Sequence, residues 1–106
     1  MIEVTDNEFQ ESVLKKSSKI PVVVDFWASW CTPCRMLGPT LERMEKLYRG
    51  RFLLAKVNVE TNKQMAQTYD VSGIPAVKMF KDGKMVAEFT GCIPDDVVKE
   101  WLNRNL

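Results

Sequence analysis

Two cysteines stand where an apolar, β-branched run gives way to a helical pattern, in Val22-Val23-Val24-Asp25-Phe26-Trp27-Ala28-Ser29-Trp30-Cys31-Thr32-Pro33-Cys34-Arg35-Met36. Three valines followed by two aromatics predict a strand covered on both faces, as in a parallel or mixed sheet. From Cys34 onward Leu37, Leu41, Met44 and Tyr48 recur at helical spacing, and Pro33 is tolerated in a first turn where its missing N–H has no intrahelical partner to lose. Cys31 therefore lies just ahead of a helix N-terminus, where the dipole and free N–H groups favour a thiolate over a thiol. A strand, a turn and a helix that meet at sulfur predict thiol-disulfide chemistry.

The same spacing also serves half of a structural zinc site. Such a site needs two further ligands, and the chain has no histidine and only one other cysteine, Cys92. Ligand counting favours redox chemistry, with no metal. A purely structural bridge is the other alternative, but closing so short a loop adds little chain-entropy stabilisation. At 106 residues the chain is long enough to build a core without staples, and it reads as a single domain, 1–106.

Charge excludes other classes. Lys plus Arg nearly balance Asp plus Glu, and a formal charge of +1 provides no field to gather nucleic acid or an anionic membrane. Met1-Ile2-Glu3-Val4 lacks the basic and long apolar regions of a signal peptide, and no apolar run approaches spanning length, so a cytoplasmic location is expected. Three cysteines, one of them odd, fit a reducing compartment.

Along the chain, Ile2 to Val4 is a short strand, and Thr5-Asp6-Asn7-Glu8 has the form of a capping box before a helix that buries Phe9 and Val13. Lys15-Lys16-Ser17-Ser18-Lys19 reads as a solvated exit, and Pro21 opens the central strand. Pro39 predicts a bend in the helix after the cysteines, Gly50 its end, and Phe52 to Val59 the next strand. Thr61-Asn62-Lys63-Gln64 repeats the capping-box form ahead of a short helix with Met65, Ala66 and Tyr69 on one face. Ala76 to Phe80 and Met85 to Thr90 flank Asp82-Gly83, a hairpin signal. Pro94-Asp95-Asp96 starts a last helix whose buried stripe is Val97, Val98, Trp101 and Leu102. The order β, α, β, α, β, α, β, β, α predicts an α/β fold: a mixed five-stranded sheet with four helices covering both faces, the early strands parallel and the closing hairpin antiparallel.

Asp25 is odd on its own terms. A carboxylate inside Val22 to Trp27 is expected to be buried, where desolvation raises its pKa toward the range useful for proton transfer. The alternative is a strand-end acid satisfied by backbone donors or a lysine. Lys56, alone among apolar neighbours on the next strand, is a candidate partner for it, and such a lysine more often snorkels to solvent. Trp30 beside the thiols is expected at a rim, whereas Trp27 is structural. Free Cys92 reads first as a small buried hydrophobe. Its neighbour Gly91 raises the further idea that it is open to oxidation or intermolecular disulfide formation.

The stretch Asp25-Phe26-Trp27-Ala28-Ser29-Trp30-Cys31-Thr32-Pro33-Cys34 resembles the active-site segment of the thioredoxin family. The likeness continues through Lys56-Val57-Asn58-Val59-Glu60, Val71-Ser72-Gly73-Ile74-Pro75-Ala76, Phe80-Lys81-Asp82-Gly83-Lys84 and Gly91. It implies the thioredoxin fold and a general protein-disulfide reductase: Cys31 attacks, Cys34 resolves, Asp25 assists proton transfer to Cys34, and Lys56 tunes Asp25. It implies no bound cofactor, disulfide-containing proteins as substrates, and a thioredoxin reductase, supplied by NADPH or ferredoxin, as electron source. A monomer is expected. Composition alone favours a trans bond before Pro75; the resemblance implies a cis one facing the cysteines, with Ile74, Pro75, Trp30, Thr32, Pro33 and Gly91 around the substrate. Thr32 departs from the usual glycine and bears on the redox potential in either direction, by a hydroxyl near Cys31 or by stiffening the loop. The competing readings are a disulfide oxidase or isomerase on the same fold, and a binding or assembly subunit independent of redox.

Overall fold

The computed structural model describes residues 1–106. Five strands, β1 (Ile2–Glu3), β2 (Val22–Trp27), β3 (Leu53–Asn58), β4 (Ala76–Lys81) and β5 (Lys84–Thr90), form one sheet in the order β1-β3-β2-β4-β5. The pairs β1·β3 and β2·β3 are parallel, while β2·β4 and β4·β5 are antiparallel. This is the mixed arrangement predicted from the element order. The central position of β2 explains its apolar run: Val22, Val23, Val24 and Phe26 are all fully buried.

Alternation along β2 feeds two separate cores. Val22, Val24 and Phe26 face a cluster with Phe9, Val13, Ala66 and Phe80, under the N-terminal helical segment and α2 (Lys63–Thr68). Val23 faces the other cluster with Leu37, Leu41, Val98 and Leu102, under α1 (Thr32–Leu47) and α3 (Asp95–Asn105). Asp25 shares Val23's face by parity, and that places its carboxyl beneath α1.

Local details differ from the sequence reading in instructive ways. The first helix is a 3-10 turn (Asp6–Glu8), a π-type stretch (Gln10–Lys15) and a second 3-10 turn (Lys16–Ser18). The solvated exit contains a buried residue: Ser17 Oγ accepts from Gly83 N at 2.8 Å and its carbonyl accepts from Asp82 N at 2.9 Å, so it pins the β4–β5 turn. In that turn Asp82 and Gly83 have φ of 52° and 79°, the left-handed pair that an Asp-Gly hairpin supplies. Helix α1 runs unbroken past Pro39 and stops at Leu47, before Gly50. Strand β3 is shorter at both ends than the predicted Phe52 to Val59.

The two capping signatures part company. At the first, Glu8 Oε1 accepts from both Thr5 N and Thr5 Oγ1 at 3.0 Å. At the second, Asn62 rather than Thr61 is the N-cap, and its side chain makes no capping bond. The free N–H groups of Gln64 and Met65 go instead to Asp6 Oδ2 and Oδ1, at 3.1 and 3.0 Å, while Asn62 Oδ1 accepts from Asp6 N at 2.9 Å. A cap drawn from 58 residues away in sequence is invisible to a local motif. On α3, Val98, Trp101 and Leu102 are buried as predicted, but Val97 is exposed.

Candidate active site

The sheet delivers β2 to a loop, Ala28 to Cys31, and the loop delivers Cys31 to the N-terminus of α1. Cys31 is the N-cap, in extended conformation, and its Sγ accepts from Cys34 N at 3.2 Å. Cys31 and Cys34 form a disulfide, with Cα atoms 5.3 Å apart. The two residues are buried almost alike, Cys31 4 % and Cys34 3 % exposed. Their difference lies in the helix end, because Cys31 Sγ receives a backbone N–H at the positive pole of α1.

Around the sulfurs the surface is uneven. Trp30 is 67 % exposed, and Thr32, Pro33 and Met36 are exposed as well. The Ile74–Pro75 bond is cis, Pro75 is buried, and the Ile74 carbonyl oxygen lies 3.9 Å from Cys31 Sγ. Gly91 has φ of 93°, and its N–H donates to Pro75 O at 2.8 Å. A Cβ built at Gly91 would meet nothing within 4 Å, so its use here is the left-handed backbone and an open approach. Cys92 next to it is free and exposed, which overturns its reading as a buried hydrophobe.

Beneath α1, Asp25 is 0 % exposed and neither carboxyl oxygen has a hydrogen-bond partner in the protein. Burial pushes its pKa up from 3.8 to about 6, with the Lys56 ammonium pulling it down and Glu42 pushing it further up. Lys56 is opposite Asp25 in the β2·β3 register, yet it forms no ion pair with it. Its Nζ sits 4.7 Å above the Trp27 ring and 3.5 Å from where a Cβ on Gly38 would be. Lys56 is half-buried, and with Trp27 it lines a surface hollow of about 330 Å³. The backbone-satisfied alternative for Asp25 is thereby excluded, and the close pairing with Lys56 is replaced by a longer-range attraction.

Comparison with known proteins fits this geometry. The thioredoxin family model matches residues 1–104. The chain is 40 % identical over 103 residues to a thioredoxin of Rickettsia bellii, covering 97 % of this chain and 96 % of the relative. Against thioredoxin 1 of Nostoc the identity is 38 % over 104 residues, covering 98 % and 95 %. Against the thioredoxin of Pseudomonas aeruginosa it is 36 % over 106 residues, covering 100 % and 96 %.

The chain belongs to the thioredoxin family.

As a family member it is a dithiol-disulfide oxidoreductase, a thiol-disulfide reductase whose redox group is the Cys31–Cys34 pair and which uses no separate cofactor. No group of three or more His, Cys, Asp or Glu side chains is placed to hold a metal ion. The thioredoxin loop also recruits residues that the sequence reading did not single out. Arg35 Nη1 donates to Ser29 O at 2.8 Å and Nη2 to Thr32 Oγ1 at 3.3 Å. Ser29 N and Oγ both donate to Glu60 Oε1 at 2.8 Å, which holds the Glu60 carboxyl below its usual range. The Arg35–Thr32 pair has the i, i+3 spacing of helix neighbours; the Ser29–Glu60 contact has no local signature.

Proposed function

We propose that this chain is a general protein-disulfide reductase in which Cys31 is the nucleophile, Cys34 the resolving thiol and Asp25 the proton acceptor for Cys34. The Cys31 thiolate attacks one sulfur of a substrate disulfide, forming a Cys31–substrate mixed disulfide and releasing the other substrate sulfur as a thiolate. Asp25 takes the Cys34 proton, and the resulting thiolate attacks Cys31 Sγ. The second substrate thiolate leaves, two electrons having passed from the pair to the substrate. The observation that carries these roles is the buried, unpaired Asp25 carboxyl under the helix that bears Cys34. With a pKa of about 6 it is largely ionised near neutral pH and close enough to neutrality to exchange a proton readily. Lys56 acts on this step through charge alone.

Trp30, Thr32, Pro33, Ile74, Pro75 and Gly91 form the rim on which substrate docks. The partly open Ile74 segment and the exposed Trp30 support an extended substrate chain lying across it. The partners are disulfide-containing proteins and a thioredoxin reductase; nucleic acid and membrane are not partners. We place the protein in the cytoplasm as a monomer, with residues 1–106 as one domain. The near-neutral charge gives no field to hold nucleic acid or an anionic membrane, and no helix is long and apolar enough to cross a membrane. Insulin reduction with dithiothreitol as electron donor tests the core of the reading. The parent should accelerate precipitation of the insulin chains and Cys31→Ser should fall to the uncatalysed rate; an active Cys31→Ser protein would overturn it.

A further inference from the structure

The cation in the first turn of α1 is in the wrong place for helix stability. Acids favour a helix N-terminus and cations its C-terminus, and α3 follows the rule with Asp95 and Asp96 in its first turn. The first turn of α1 holds no acid, and its fourth residue is Arg35. Arg35 takes no part in the ion pairs of the molecule. Its two hydrogen bonds go to uncharged acceptors, Ser29 O at 2.8 Å and Thr32 Oγ1 at 3.3 Å, which bracket Trp30 and Cys31 in sequence.

We propose that Arg35 is a positioning residue for the redox step: its guanidinium clamps both sides of the loop that carries Cys31 and brings to it a positive charge that has no ion-pair partner. The inference rests on Cys31 being the attacking thiolate. A planar fork reaches two acceptors at once, whereas a lysine serves as a point charge and would hold one at a time. The loop is fixed from its other side as well, because Ser29 N and Oγ both donate to Glu60 Oε1 at 2.8 Å, just beyond the end of β3. Arg35 thus ties α1 to a loop that Glu60 ties to the sheet. Thr32 gains a role that a glycine cannot fill, since it supplies the clamp's second acceptor. All these groups are exposed, so the clamp adds little to global stability and acts on loop geometry and on the charge felt by the sulfur.

The test titrates the low-pKa thiol of the reduced protein by thiolate absorbance in the parent, Arg35→Gln and Arg35→Lys, alongside amide exchange of Cys31, whose N–H donates to Ala28 O at 3.2 Å. Arg35→Gln should raise the Cys31 pKa by about half a unit, the size of effect that removing one positive charge from the loop has in a mostly aqueous dielectric. Above that pKa its dithiol–disulfide equilibrium with glutathione should move about threefold toward the disulfide. Arg35→Lys should hold the pKa within about 0.2 of the parent, and both variants should speed exchange at the Cys31 amide. An Arg35→Gln protein with the parent's pKa and the parent's exchange rate overturns the proposal. Alkylation of the parent at low pH that lands on Cys34 instead refutes the assignment of the nucleophile, a different failure from an Arg35 variant that changes nothing.

Discussion

The sheet buries two charged side chains, one on each face, and treats them in opposite ways. Lys78 on β4 is 5 % exposed and meets Glu88, its register partner on β5, at 2.6 Å. Asp25 on β2 is 0 % exposed and meets no hydrogen-bond donor. A buried charge that is paired is a solved packing problem; one left unpaired costs stability and persists where chemistry uses it. The contrast separates a strand whose polar residue serves the fold from one whose polar residue has no partner in the fold and, in the mechanism proposed above, serves the sulfur.

The largest effect expected from breaking this contrast is at Asp25. Its carboxyl ionises near 3.8 unfolded and about 6 folded, so folding opposes ionisation. The native state of the parent binds the proton more tightly, and stability contributed below the unfolded pKa is lost as pH climbs through the folded one, by about 3 kcal/mol in total. Urea denaturation of Asp25→Asn against the parent should show its relative stability growing by about that amount from about pH 3 to about pH 8. A difference that stays flat with pH would mean that Asp25 is solvated after all. The same substitution should slow insulin reduction at neutral pH by about tenfold, less than the roughly 100-fold or more that a positioned base contributes, because water can take the proton in its place.

Next in size is Glu88→Ala, which strands the Lys78 ammonium and should cost about 2 kcal/mol, below the full penalty for a broken buried pair because a lysine stem can turn outward. Lys78→Met is the asymmetric control. Glu88 has a side chain 52 % exposed and returns to water, so thermal denaturation should stay within about 1 kcal/mol of the parent. Equal losses from the two would show that the pair, rather than the buried ammonium, carries the energy.

The smallest effect sharpens the Asp25 side. Gly38 is buried inside α1, and a Cβ there would touch Lys56 Nζ at 3.5 Å, an ordinary contact. Gly38→Ala should stabilise the protein by up to about 1 kcal/mol through helix propensity and reduced unfolded-state freedom. Loss of stability on denaturant unfolding would mean that the Lys56 ammonium has no room to give.

Of these two charges, only one was visible in the amino-acid order. Asp25 interrupts a run of valines and aromatics, so its burial followed from the strand period, as did the meeting of strand, cysteines and helix. Lys78 sits in Ala76 to Phe80, an equally apolar strand, but its solution lies across a hairpin whose register includes an irregularity between Met79 and Phe80. The exposure of Val97 and Cys92 was hidden for a related reason: periodicity selects a helix face or a residue type, while neighbouring elements decide how far the face is covered. The loop clamp from Arg35 to Ser29 and Thr32, and the anchor at Glu60, depend on tertiary approach that no local pattern encodes. The cis bond before Pro75 came from family likeness, against what composition favours.

The reciprocal bonds between Asp6 and the start of α2 make two stretches distant in the chain into one cooperative unit. Fraying of the N-terminal turn strips α2 of its cap, so a protease able to cut near Gln64 gains access when the first turn lets go. That unit packs on the face opposite α1, with the central strand between them. Loosening there leaves the disulfide's own support in place.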